Sequence, residues 1–176
     1  KIFLGVEMAP LSDDLVLHAA TMAATILFFF NDIIKLFIEW VSGIFSKDKR
    51  GLAGWSVGWA VFIGTMVTGG VGMLIKDFAE EAMMNSLLVG FGLVFTGIVL
   101  ISSRFIRKGF GRVSPFDGLM VGLAQGIAVM PGVSRSGMTM MAGTAAGIRR
   151  EEVFRFSFLL SIPAIAGAAL LQAREV

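Results

Sequence analysis

A chain of 176 residues that is 56% hydrophobic and only 16% charged, with a mean hydropathy of +0.82, is too apolar for an ordinary soluble domain. Its net charge of +2 is small, and its basic residues sit in short loops, which excludes a nucleic-acid footprint. The lack of cysteine excludes disulfides and thiolate metal sites.

The apolar residues come in long blocks and not in alternation, so the expected class is an all-α integral membrane protein, a polytopic helix bundle. The first residues, Lys1-Ile2-Phe3-Leu4-Gly5, do not form a signal peptide. With no starting methionine, and a last apolar run that stops at Leu170-Leu171, the sequence reads as a fragment of a longer protein. Spans are expected at about 15–38, 53–75, 86–106 and 156–171, within one domain covering 1–176.

Loop charge orients these spans. Lys47, Lys49 and Arg50 follow the first span, and Arg104, Arg107, Lys108 and Arg112 follow the third. The segment Lys76-Asp77-Phe78-Ala79-Glu80-Glu81 after the second span is acidic. The positive-inside rule therefore puts the basic loops in the cytoplasm. The acidic loop, together with Glu7, Asp13 and Asp14, then lies outside.

Residues 116–148 do not fit a simple span. They lie between Arg112 and Arg149-Arg150, and Pro131-Gly132 interrupts them. Proline removes an N–H and glycine permits a sharp bend. A re-entrant helix–loop–helix with its tip near the bilayer midplane is the economical solution, since irregular backbone is tolerated there only inside protein or beside water.

The tip carries Pro131-Gly132-Val133-Ser134-Arg135-Ser136-Gly137-Met138-Thr139. A guanidinium among hydroxyls and open backbone N–H groups is what a phosphate or pyrophosphate needs. Ser134 or Ser136 is expected to cap the second half-helix, whose free N–H groups and dipole favour an anion. A charge at membrane depth is also costly enough to mark a functional site.

This loop, preceded by Gln125-Gly126-Ile127-Ala128, resembles the second signature of the undecaprenyl pyrophosphate phosphatases of the BacA type. Leu17-His18-Ala19-Ala20-Thr21, Gly64-Thr65, Lys76-Asp77-Phe78 and the run from Phe156 to Ala164 follow the family's order. The resemblance implies an inverted-repeat membrane hydrolase that removes the terminal phosphate of a C55 polyprenyl pyrophosphate. It would thereby recycle the lipid carrier for peptidoglycan synthesis, at an active site opening to the outer face of the plasma membrane. It also implies bacitracin resistance and a Mg2+ or Ca2+ cofactor. Carried over by position, Arg135 holds the pyrophosphate, and Ser134, Ser136 and Thr139 supply hydroxyls, one serine being a candidate nucleophile. Gln125, Gly132 and Gly137 are expected to bind substrate. Membrane lipids and a second copy of the chain are candidate partners.

The family's other signature, with the glutamates expected to hold the metal, belongs upstream of Lys1. Gln125 is an amide and cannot act as a base. Where the family often has isoleucine–proline, this chain has Met66-Val67-Thr68-Gly69-Gly70. The plainer readings are an ion-paired Arg135, hydroxyls that only cap or bridge helices, a packing Gln125 and a packed His18. Asp117 reads as an N-cap, Lys35 and Glu39 as a helix-surface pair, and the phenylalanines as lipid-facing. A transporter or flippase that uses the loop only to bind, and a purely structural membrane domain, are the competing functions.

Overall fold

The computed structural model describes residue 20, residues 23–106 and residues 109–172. The described residues form helices α1 (Phe30–Phe45), α2 (Ala53–Met83), α3 (Ser86–Ser102), α4 (Pro115–Ile127), α5 (Arg135–Ala145) and α6 (Arg150–Gln172). Residues 23–28 are also helical and end in a turn at Phe29. His18, Glu7, Asp13, Asp14, Arg107 and Lys108 lie outside the described residues.

Among the described residues two helices are long and apolar enough to cross a membrane, α2 and the stretch Ser86–Phe105 that begins with α3. A soluble core helix of this composition would be buried, yet α3 has no buried residue. Leu74, Phe91 and Val94 are exposed, as are many other large apolar side chains. Such a surface belongs in lipid, and the chain is an integral membrane protein.

Helix α2 runs further than the apolar block that announces it. It has 31 residues, about 46 Å at roughly 1.5 Å per residue, against a hydrocarbon core of about 30 Å. The acidic segment expected as a loop forms its last two turns instead. No glycine or proline interrupts residues 76–83, and Lys76 pairs with Glu80 at 3.7 Å, one turn on. The connection shrinks to Met84 and Asn85, whose Oδ1 accepts the Leu87 N–H at 3.0 Å and starts α3. At the other end of α2, the Glu39 carboxylate accepts the Gly54 N–H at 2.9 Å. Glu39 thus satisfies an orphan donor of the next helix and forms no ion pair with Lys35.

Small residues set the packing. Ala60, Gly64 and Thr68 recur every fourth residue on α2, and Gly118, Gly122 and Gly126 do so on α4. A methyl on Gly118 would strike the Ala60 carbonyl, and one on Gly122 would lie 2.7 Å from the Gly64 backbone. The two backbones are in contact, as small-xxx-small seams allow in a membrane. Matching residues ascend together, so α2 and α4 run parallel. α5 then turns back and α6 returns, with Gly143 against Val153 and Gly64 against Leu160. The buried core is Val57, Ala60, Val113, Val121, Ile148, Val153, Phe156, Leu159 and Leu160.

The interrupted segment is a helical hairpin whose feet meet. The Gly111 N–H donates to the Gly147 carbonyl at 3.0 Å, and the Arg149 N–H to the Gly111 carbonyl at 3.0 Å. Both ends therefore lie at the end of the bundle that holds Arg112, Arg149 and Arg150, the basic end. The 13 residues of α4 and the turn after it carry the tip past the middle of α2. A methyl on Gly72 would meet Val129, and Gly72 lies about 6 Å along the axis from Lys76, at roughly 1.5 Å per residue. The tip is thus nearer the acidic end than a midplane position on α2.

Candidate functional site

The tip is built by local capping. Ser114 precedes α4 and donates its N–H and O–H to Asp117 Oδ2 at 2.7 and 2.8 Å. Asp117 is therefore the partner of the cap at the helix's third position, and Ser114 is the cap. After Ile127, Pro131 and Gly132 turn the chain, Gly132 at φ +81°. That left-handed backbone costs an L-residue about 1–2 kcal/mol. Ser134 then caps α5, its Oγ accepting the Gly137 N–H at 3.2 Å.

With Ser134 as the cap, the backbone N–H groups of Arg135 and Ser136 take no acceptor among the described residues. They form the exposed positive end of the helix dipole. The Ser136 side chain is exposed beside them, and Arg135 is half-buried. No carboxylate pairs with the Arg135 guanidinium among the described residues. The plainer reading of Arg135 as an ion-paired residue therefore finds no partner here. The tip thus offers donors of the kinds a phosphate anion takes: two main-chain N–H groups, the Ser136 hydroxyl and the Arg135 guanidinium.

Thr139 and Gln125 lie deeper in the bundle. Thr139 is fully buried, one turn further along α5. Its hydroxyl donates to the Arg135 carbonyl at 3.0 Å and meets Ser157 Oγ of α6 at 2.5 Å. Gln125 is also buried, in the α2–α4 seam, with Nε2 donating to Thr68 Oγ1 at 3.4 Å. Its Oε1 has no partner among the described residues. Gly137 sits in the first turn of α5, where a methyl would crowd Ser134 Oγ at 3.2 Å. Gly132, Ser134, Arg135, Ser136 and Gly137 thus form one cluster; Thr139 is tied to it through the Arg135 and Ser136 carbonyls, and the Gln125 amide bonds Thr68 instead.

Two residues at the tip were not singled out from sequence. The Thr96 hydroxyl on α3 donates to the Gly132 carbonyl at 3.0 Å and accepts the Ser134 N–H at 3.0 Å. One turn earlier, a methyl on Gly92 would strike the Pro131 carbonyl oxygen. A small-xxx-small spacing, Gly92 to Thr96, was the available signal, but it does not say which segment it faces.

Among the described residues no three His, Asp or Glu side chains gather to hold a metal ion. The described residues alone therefore do not make up a Mg2+ or Ca2+ site, whose carboxylates the resemblance puts upstream of Lys1.

Residues 2–176 match the family of bacitracin resistance protein BacA. The chain is 38% identical to the undecaprenyl-diphosphatase of Methanosphaera stadtmanae over 98% of its length and 67% of the relative's. For the undecaprenyl-diphosphatase of Corynebacterium diphtheriae the identity is 37%, over 97% of this chain and 61% of the relative. For that of Moorella thermoacetica it is 37%, over 94% and 62%. The chain thus spans about two thirds or less of the curated relatives it matches. On a match that runs along nearly its whole length, the chain belongs to the BacA family.

Proposed function

We propose that the chain carries the pyrophosphate-binding part of an undecaprenyl-diphosphatase, which hydrolyses the terminal phosphate of a C55 polyprenyl pyrophosphate. One observation carries this reading: at the tip of the α4–α5 hairpin, among the described residues, the backbone N–H groups of Arg135 and Ser136 take no acceptor and the Arg135 guanidinium pairs with no carboxylate. In phosphoryl transfer, positioning and neutralisation of spreading charge do most of the work. Arg135 and the N–H pair hold the phosphate oxygens, Ser136 presents its exposed hydroxyl to the same space, and Ser134 keeps the helix end open. Thr139 acts from behind, locking α5 to α6 through Ser157. Gln125 keeps one buried acceptor that a ligand donor or a water can fill.

The hairpin is re-entrant in this reading, within an inverted-repeat architecture. Its feet lie at the basic, cytoplasmic end, and its tip near Gly72 opens toward the outer face of the plasma membrane. Polyprenyl pyrophosphate is the substrate, and membrane lipids and a second copy of the chain are the partners. A Mg2+ or Ca2+ requirement is proposed for the protein that supplies carboxylates. The described residues hold no such set.

The test is phosphate release from undecaprenyl pyrophosphate in detergent by a chain restored to the length of its relatives, with magnesium, with calcium and with chelator, beside Arg135→Ala. Release that needs Arg135 is the expected result. Tight binding without release by a chain restored to the length of its relatives would favour transport over hydrolysis.

A further inference from the structure

Five of the described threonines show where their hydroxyls can reach. Thr65, Thr139 and Thr144 bond back to carbonyls one turn earlier in their own helix, those of Val61, Arg135 and Met140. That is the ordinary recourse of a hydroxyl in an apolar helix. Thr68 and Thr96 instead reach across to the hairpin. Thr68 donates to the Gly122 carbonyl at 3.0 Å. Thr96 donates to the Gly132 carbonyl at 3.0 Å and accepts the Ser134 N–H at 3.0 Å.

Thr96 therefore bonds both sides of Val133 and fixes the residue that caps α5. The approach is close because Gly92, one turn away, lets the Pro131 carbonyl lie against α3. Gly132 has the same constraint from the other side, since a methyl there would strike the Val89 carbonyl. The face Val89, Gly92 and Thr96 is thus a seat for the loop, although α3 is otherwise an apolar helix without a buried residue.

We infer that Thr96 is a positioning residue for the anion site: its hydroxyl sets the conformation of Gly132–Ser134 and so the aim of the Arg135 and Ser136 N–H groups. The inference rests on the phosphate reading of that site. A hydroxyl is required because one atom must both donate and accept, which valine cannot do and serine can.

The experiment measures affinity for farnesyl pyrophosphate by the chain in detergent, with hydrogen exchange at the Ser134 amide recorded alongside. The variants are Thr96→Val, Thr96→Ser, Gly92→Ala and Arg135→Ala. Thr96→Val is expected to lower affinity about tenfold and to speed exchange at Ser134, while Thr96→Ser restores both. If Thr96→Val does not fold, Gly92→Ala, which displaces Pro131 and leaves the hydroxyl in place, is expected to show the same loss. Unchanged affinity in Thr96→Val or Gly92→Ala, with Arg135→Ala defective, overturns the role of Thr96 and leaves the site standing. Equal losses in Thr96→Val and Thr96→Ser also overturn it, since the methyl and not the hydroxyl would then matter. Absent binding by the unsubstituted chain, or unchanged affinity in Arg135→Ala, overturns the phosphate reading itself.

Discussion

Gly111 and Gly147 join the two feet of the hairpin through one backbone hydrogen bond of 3.0 Å. The Arg149 N–H closes a second bond on the Gly111 carbonyl. Gly147 has φ +83°, and a methyl on Gly109 would strike the Gly147 carbonyl. Glycine is therefore needed on both strands of this junction. Everything between residues 111 and 147 is a closed excursion from one end of the bundle.

A topological outcome follows. The chain has no cysteine, so single cysteines can be read without background. Arg112→Cys and Arg149→Cys are expected to react with an impermeant maleimide from the same side of the membrane, and Met84→Cys from the opposite side. Labelling of positions 112 and 149 from different sides would contradict the junction.

The α2–α4 seam is expected to be intolerant of bulk. Gly118→Val places side-chain atoms where the Ala60 carbonyl stands, and overpacking of this kind costs roughly 1–3 kcal/mol or more. Gly70, with nothing near its missing side chain, is the internal comparison, and Gly70→Ala should leave the melting temperature in place. Thermal denaturation in detergent measures the difference.

Substitution of Arg135 separates charge from geometry. Arg135→Ala is expected to weaken pyrophosphate binding by about ten- to a hundredfold, since a charged hydrogen bond contributes roughly 1.5–3 kcal/mol. Arg135→Lys should recover only part of that, because a point charge cannot replace the planar fork. Titration with a prenyl pyrophosphate reads both.

At the turn, Gly132→Ala forces a methyl into a left-handed backbone, at about 1–2 kcal/mol, and against the Val89 carbonyl. A lower melting temperature and loss of pyrophosphate binding are expected together. Retention of wild-type affinity would show that the turn does not govern the site.

Thr139 and Ser136 should part company. Thr139→Val breaks the link to Ser157 and is expected to lower stability by about 0.5–1.5 kcal/mol. Ser136→Ala removes an exposed hydroxyl, so its melting temperature should stay unchanged while phosphate release slows. Denaturation midpoints and initial rates on the same preparations distinguish the two.

The sequence made much of this readable, for physical reasons that differ by element. Lipid solvation writes itself into composition, so the apolar blocks led directly to α2 and α3. Pro131-Gly132 between two short apolar halves marked the hairpin, and the hydroxyls flanking Arg135 marked the cap, which Ser134 supplies. The overrun of α2 was hidden because charged residues end a membrane span without ending a helix. Thr139, one turn along α5 from Arg135, also meets Ser157 of α6, a contact that its sequence neighbours do not reveal. The Glu39 cap on Gly54 and the Thr96 seat join residues distant in sequence, and no local pattern encodes which carbonyl or N–H a side chain will meet.

The junction at Gly111 has a consequence for how such a protein can change. Because the excursion leaves and rejoins at one end, it does not alter which way the remaining helices point. α3 runs toward that end and α6 away from it whether the insert is present or absent. The loop and its chemistry can therefore be lengthened, duplicated or rebuilt without inverting anything that follows.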